Sequence, residues 1–588
     1  YDQDGNITQF CYTERHGSKP NPLYDFNNNN FNNEYSTRIT NNFEIDWRIR
    51  NELRFRTRIG LSKSLASTEV FKSPKNGEYV NLETEQKGLY TESNSKNFGY
   101  DGDIALTYGK LFEEKHMLNV VTGMKFDQRD AQSSKYSVQG FIDDIFVNPT
   151  YASQFVPGSN VTTESIKRSA SYYLNFGYAF DNKYLLDATY RLDGSSVFGV
   201  DNKFSNTWSV GLGWNIHKEE FMKNIGWVNQ LKLRASIGNP GNQNFNDYIS
   251  TRVYKYSTQS TSPFGNGNDI ATWANSGLKW QKTIDRNIGF DALVGKLRLN
   301  FDFFVKTTDP LLIYMSVPTS TGTKTIPTNM GEQQTTGVTL NANYQIVRKS
   351  NFMWSVNANM RHLESEYRNI SKSLELYNQN NQGVNMTRYY DGASPTALWA
   401  VRSFGIDPGT GYELFMKKDG SPTLVFDYSD EVVAGDSNPV AEGIIGTSIF
   451  YKGFTLSVNC RYKFGGQEFM KTLYDKVENI PDRTINLDKR ALTERWQQPG
   501  DKSKFKKISS NIASDMTSRF VEDNNIITGE SISLGYETQG KWIKKIGASS
   551  MNMRFYMNDI FRISTIKNER GIYYPFSRSV SFSLGLSF

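Results

Sequence analysis

Cysteine is almost missing from this 588-residue sequence: Cys11 and Cys460 are the only two. That excludes a disulfide scaffold and leaves open whether the two are bonded to each other. Histidine is as scarce, and His16, His116, His217 and His362 are too scattered in sequence for a local metal site. There is no Cys-x-x-Cys, His-Glu-x-x-His, Walker phosphate loop or Gly-x-Ser-x-Gly elbow, so no metal, cofactor or enzymatic activity is expected. Asp2-Gln3-Asp4-Gly5-Asn6 opens like a calcium loop but lacks the Glu that completes one, and a polar turn is the expectation. The adjacent acids Asp143-Asp144 and Glu219-Glu220 read as solvated loop charge. Long apolar runs are absent too: the densest, Leu311 to Met315, falls far short of the roughly 20 residues a membrane helix needs. With 67 basic against 61 acidic residues the net charge is +6, too small over this length to argue for nucleic acid. The sequence opens at Tyr1 without a signal peptide or lipoprotein Cys, so a processed product or part of a longer polypeptide is expected.

Aromatic residues, by contrast, are plentiful at 14%, in a chain whose mean hydropathy is only −0.57. This excludes disorder of the whole and is unusual for a compact enzyme. The apolar residues recur with period 2. Phe43, Ile45, Trp47 and Ile49 alternate with Glu44, Asp46 and Arg48; Leu53, Phe55, Ile59 and Leu61 alternate with Arg54, Arg56, Arg58 and Gly60. The pattern returns from Leu174 to Phe180, Trp208 to Ile216, Leu297 to Val305, Phe352 to Met360, and Val580 to Phe588. Each such strand has one apolar and one polar face. Three features make the apolar face a lipid face: strands of nine or more residues, aromatics near strand ends (Tyr184, Tyr190, Trp208, Trp214, Trp280, Tyr344), and charges such as Arg54, Arg56 and Arg58 that no dry second sheet would accept. The fold class read from this is all-β, a transmembrane antiparallel β-barrel.

Connections alternate in length. Tight links such as Arg50-Asn51 and Asp181-Asn182-Lys183 contrast with long polar stretches at 63–96, 131–165, 370–395 and 466–520. One short and one long side is how outer-membrane barrels are built, the long side being extracellular. Sixteen to eighteen strands are expected. Residues 1–35 read as loop or partial strand leading into a barrel over 36–588. On the long loops, Trp273, Tyr389, Tyr390 and Trp399 are candidates to stack on sugar rings, or else to pack loop against loop.

The segment from Tyr184 resembles the outer-membrane TonB-dependent transporters of the SusC/RagA type. The resemblance rests on Arg191, Asp193, Gly194, Ser195 and Ser196 at a strand end, then Trp214 with Glu219, Glu220 and Phe221, then Leu231 to Gly238 followed by Gly241-Asn242-Gln243. It continues through Leu278-Lys279-Trp280 opening a strand, Trp496 to Asp501, Arg519 to Asp523, and Ser533 to Tyr536. Phe588 is similar to the terminal aromatic read by the barrel assembly machinery. Arg191, Asp193, Gly194, Trp214 and Gly238 are read as barrel structure rather than as ligand contacts.

What the resemblance implies is an importer without covalent chemistry, set in outer-membrane lipid of a Bacteroidota-type bacterium. A SusD-like lipoprotein would lid its mouth, TonB would act through an N-terminal plug, and two transporter–lipoprotein units would be able to pair. The family barrel has 22 strands. The plug and the first strands are not found here, so this chain is expected to be most of such a barrel, with the remainder elsewhere in the full protein. Where the family has Leu-Arg-Leu, this chain has Ile526 to Glu530, an atypical strand entry. The expected cargo is an oligosaccharide, with an oligopeptide as the alternative. A structural or secretion barrel without import, and a soluble all-β adhesin or sugar-binding protein, are the rival classes.

Overall fold

The computed structural model describes residues 5–13, 17–197, 202–241, 252–262, 265–273, 275, 277–323, 325–370, 372, 374–480, 487–510, 512–567 and 578–588. A single antiparallel sheet curls into a barrel wall. Its first strands are the longest: β1 Phe31–Arg48, β2 Leu53–Lys72, β3 Leu89–Phe112, β4 His116–Gln139 and β5 Val161–Phe180. Then come β6 Tyr184–Ser195, β7 Phe204–Trp214, β8 Val228–Asn239, β9 Lys282–Val294, β10 Leu297–Asp309, β11 Glu332–Lys349 and β12 Phe352–Arg368. The wall ends with β13 Ala441–Tyr451, β14 Phe454–Phe464, β15 Ile526–Thr538, β16 Ser550–Ser564 and β17 Val580–Ser587. Each strand pairs with the next in sequence. Among the described residues no register joins β1 to β17, and both of these strands are exposed along nearly their whole length.

Turn chemistry explains the short side. Glu113 and Glu114, Asp181 and Asn182, and Lys452 with Gly453 all have positive φ, which matches the right-handed twist of the strands they join. The link between β9 and β10 is the pair Gly295-Lys296, with Gly295 at φ +57°. On the opposite side every link but the one between β6 and β7 is long, and the loops there carry small sheets of their own, such as Ala397–Ile406 with Glu413–Met416 and Glu431–Asp436.

Two long stretches are shorter loops than their composition suggests. Of 63–96, β2 takes the residues up to Lys72 and β3 those from Leu89; of 131–165, β4 reaches Gln139 and β5 starts at Val161. These ends are rich in Ser, Thr, Asn and Lys on both faces, so the ladder continues into water beyond the lipid, where alternation of hydropathy no longer marks it. Leu278 to Trp280 is likewise no strand. It is irregular and buried against Val197 and Leu312, and β9 begins only at Lys282. Trp280 therefore belongs to no girdle: its Nε1 donates to the Asn202 carbonyl at 2.8 Å. Tyr184 and Trp214 do sit at the short-turn rim, stacked at 6.5 Å, and both donate to Glu219 (2.8 and 3.0 Å), which accounts for the acid that follows the Trp-ended strand.

Core packing inside the wall is replaced by ring-on-glycine contacts between neighbouring strands. Phe126 lies across from Gly102, Tyr173 from Gly123, Phe204 from Gly194, Phe304 from Gly337 and Phe561 from Gly529. In each pair a Cβ on the glycine would collide with the ring. Gly337 is gripped from both sides, with Phe304 at 2.4 Å and Leu363 at 2.6 Å from that Cβ. We expect Gly337→Val to destabilise the wall by about 1–3 kcal/mol through overpacking. Gly109→Ala, where nothing lies nearer than 3.8 Å, is expected to be silent. Unfolding in urea from detergent micelles, followed by heat-modifiable gel mobility, measures both.

Candidate functional site

The polar face of the wall lines a lumen, and many of its charges are paired between strands. Arg54 pairs with Asp46, and Arg56 with Glu44 at 2.9 Å; Arg58 reaches Asp101 at 3.3 Å. Further round, Arg234 bridges Asp291 (2.9 Å) and Asp302 (3.1 Å), and Lys306 meets Asp285 at 3.3 Å. Glu442 is shared by Arg361 and Lys463, and Arg461 holds Glu530 at 2.5 Å. Most partners are diagonal neighbours across a strand pair, within reach of long side chains. Facing water, such pairs contribute little to stability.

The motif residues lie on this wall. Arg191 donates through Nε to Asp193 at 2.6 Å and through Nη2 to the Ser171 hydroxyl at 3.0 Å; Asp193 is almost fully buried. Both line a cavity of about 530 Å³ together with Arg234, Asp285 and Gly238. Gly194 sits under the Phe204 ring, and a Cβ on Gly238 would press on the Trp208 carbonyl at 2.8 Å. Ile526 to Glu530 forms the start of β15 with an irregularity between Gly529 and Ser531, which leaves Glu530 facing Arg461. Asn242 and Gln243 lie outside the described residues, as do Asp2 to Asp4 of the calcium-like segment and His16. Cys460, on β14, is a free thiol.

The four loop aromatics do not come together. Trp273 donates through Nε1 to the Thr321 carbonyl at 3.0 Å and carries the Arg252 guanidinium over its ring at 4.6 Å. Tyr389 is packed between Tyr367 (5.0 Å) and Tyr377 (5.2 Å) in the cluster of Leu311, Ile313, Ile370 and Leu374. Tyr390 and Trp399 contact each other at 5.0 Å, and the Trp399 Nε1 is buried without a hydrogen-bond partner.

Sequence reasoning missed the buried charges of the loop layer. Arg388 is enclosed and pairs with Glu431 through both Nε (2.8 Å) and Nη2 (2.7 Å). Arg519 bridges Glu413 (2.8 Å) and Glu478 (2.6 Å), and Thr517 donates to Glu413 at 2.7 Å. Burial pushes the Glu478 carboxyl up, but the Arg519 charge and hydrogen bond outweigh it and hold the group below its ordinary range. Lys506 nearby is pushed down by burial and Asp515 is pushed up by it. Between the loops above β2 and β4, burial opposes ionisation of Asp144, yet Lys75, the Asn29 amide and the Ser73 hydroxyl hold its carboxyl at about 2. Lone charges in polar loops carry no periodicity, so the pairs went unmarked; Arg519 stood only in a motif, and Asp144, expected as solvated loop charge, is instead buried and paired.

A lipid-facing antiparallel wall around a polar lumen, with turns on one side and a packed loop layer on the other, defines a transmembrane barrel of the outer-membrane kind. The family described as TonB dependent receptor-like, beta-barrel matches residues 1–487, and the chain belongs to that family. It is 24% identical to the TonB-dependent receptor P39 of Formosa agariphila over 90% of this chain and 55% of that protein. To the TonB-dependent receptor SusC of Bacteroides thetaiotaomicron it is 25% identical over 71% of this chain and 43% of that protein. Among solved structures, the RagAB peptide importer in its "open-open" state superposes with a TM-score of 0.84 at 19% identity, covering 100% of this chain and 65% of that one. This is a SusC/RagA-like outer-membrane barrel. The chain spans about half the length of the curated relatives it matches.

Arg519→Met would leave two enclosed carboxylates without their cation, and we expect it to cost the loop layer about 3–5 kcal/mol. The readout is rapid trypsin cleavage within 466–525 while the barrel keeps its heat-modifiable mobility. For Asp144 the folded pKa lies below the ordinary 3.8, so its anchoring contribution is complete above about pH 4 and is lost as pH falls towards 2. Pepsin should therefore begin to cut loop 140–160 across that window. Asp144→Asn should make it susceptible already at pH 4.

Proposed function

We propose that this chain forms the wall and loop layer of an importer for a bulky nutrient, an oligosaccharide in first place. The observation that carries the reading is a lumen bounded by seventeen long strands among the described residues and roofed on one side by a packed loop layer. Barrels of this size are too wide for side chains to fill and leave an aqueous passage. The family adds energy coupling through TonB, acting on a plug elsewhere in the full protein. A SusD-like lipoprotein would seat on the long-loop side, and two such units would pair. In this reading β1 and β17 meet further strands of the complete wall, because unpaired backbone groups are not tolerated in lipid. The barrel assembly machinery would recognise Phe588, which stands exposed after β17. The reading needs no covalent chemistry.

An oligopeptide is the second reading, favoured by the fold shared with a peptide importer. If sugars are the cargo, the Tyr390–Trp399 pair is the stacking platform to test before Tyr389, whose ring is spent on loop packing.

Mild detergent extraction of outer membranes followed by native mass spectrometry tests the assembly. Growth of a deletion strain on separate oligosaccharide and peptide sources tests the cargo. We expect a co-purifying surface lipoprotein and a growth defect confined to one class of oligosaccharide. A complex of other partners with no growth defect on any source would replace import with a scaffold or secretion role.

A further inference from the structure

Among the described residues several cations of the inner wall, Arg129 and Lys167 among them, have no carboxylate partner, and one group of wall cations lines a cavity. Arg461 on β14 and Arg562 on β16 both stand opposite Thr528 on the intervening β15, so the two guanidiniums flank one row of the lumen face. Lys463, two residues along from Arg461, shares that face. These three cations line one cavity of about 420 Å³ at the loop end of the wall, with Thr528, Asn524, Ser437 and Glu468 beside them.

Their pairing is unequal. Arg461 is held by Glu530, and Lys463 reaches Glu442 at 3.5 Å while sharing it with Arg361. The Glu468 carboxylate accepts from Asn524. Arg562 has no carboxylate partner among the described residues, and its Nε is buried with no acceptor. Enclosing a guanidinium N–H without an acceptor is costly, so a partner is wanted at that point. The planar fork of Arg matches a carboxylate in two parallel hydrogen bonds, and the second cation and a hydroxyl lie within the same cavity.

We propose that this cavity is a carboxylate subsite: Arg562 takes an acidic group of the cargo at the outer end of the lumen, supported by Lys463 and Thr528. This rests on the importer reading and narrows it to cargo carrying carboxylates, as a uronic acid sugar or a peptide terminus does. Among the described wall cations that lack an ion pair, Arg562 is the one whose Nε is enclosed without an acceptor.

The test is arginine labelling with phenylglyoxal on the intact outer-membrane complex, read for Arg562 by peptide mass spectrometry. Glucuronate, N-acetylglycine and glucose serve as competitors. We expect Arg562 to label, glucuronate or N-acetylglycine to slow that labelling, and glucose to leave it unchanged; the better protector names the source of the carboxylate. Lys463→Gln should raise the concentration needed for half-protection by about tenfold, the loss of one charge-assisted contact. Failure of Arg562 to label means that the complete receptor closes or pairs it, and overturns the proposal. Labelling that neither carboxylate slows overturns it as well. Protection requires no transport, so a complex that protects yet supports no growth phenotype would sink the importer reading and leave the subsite standing.

Discussion

Every backbone amide and carbonyl that enters lipid must find its partner in the protein, and the rest of this structure follows from that constraint. A chain with no run long enough for a helix can meet it only with a wall of neighbouring strands. Once the ladder is in place, pleating sends alternate side chains to opposite solvents. Ile39, Phe43 and Trp47 point away from Arg54, Arg56 and Arg58 for that reason alone. The same geometry removes the ordinary hydrophobic core. The wall is one layer thick, so close packing has to come from cross-strand contacts such as Phe304 over Gly337.

Burial therefore concentrates where the chain leaves the membrane. The enclosed clusters sit mainly in the long-loop layer, around Phe71 and Phe141, around Ile370 and Leu374, and around Val477 and Phe520. These segments hold few aliphatic residues, and their interiors are completed by ions: Arg388 with Glu431, and Arg519 with Glu413 and Glu478. A buried ion triad gives little net stability against a well-packed apolar substitute, but removing one member is severe. Such a layer holds its shape only as a whole. A roof over a wet lumen gains from that, since its loops then keep one arrangement relative to the strands beneath.

How much of this was legible follows from periodicity. Period 2 marked the strands wherever one face meets lipid and the other water, as in β1, β2, β10 and β17. It failed at the outer ends of β2, β3, β4 and β5, because both faces there are wet and Ser, Thr and Asn suit either side. It failed differently at Leu278 and Trp280, where apolar residues at strand spacing fill a loop core instead. The short turns were readable at Asp181-Asn182, since such residues tolerate positive φ. Motif residues were found but their work was not: nothing in the sequence tells that Glu219 accepts from both Trp214 and Tyr184. Single charges on long loops were opaque, which is why Arg388 and Glu478 went unnoticed, and why Arg519 was read only as part of a motif and not as the centre of a buried ion triad.

The pairing of the lumen charges bears directly on how a passage of this kind can hold cargo and still release it. A bare cationic wall would bind anions along its whole length and let none through quickly. Here Arg234 is balanced by Asp291 and Asp302, Arg461 by Glu530, and Lys306 by Asp285, so most of the surface is polar without being strongly charged. Hydroxyls and amides such as Asn341, Asn359 and Asn357 fill the intervals on neighbouring strands. Such a surface exchanges one water-like contact for another at little cost. Selectivity would then come from the points where balance is broken. In the proposed reading, Arg562 near the outer rim, with an enclosed Nε that lacks an acceptor, would be one such point.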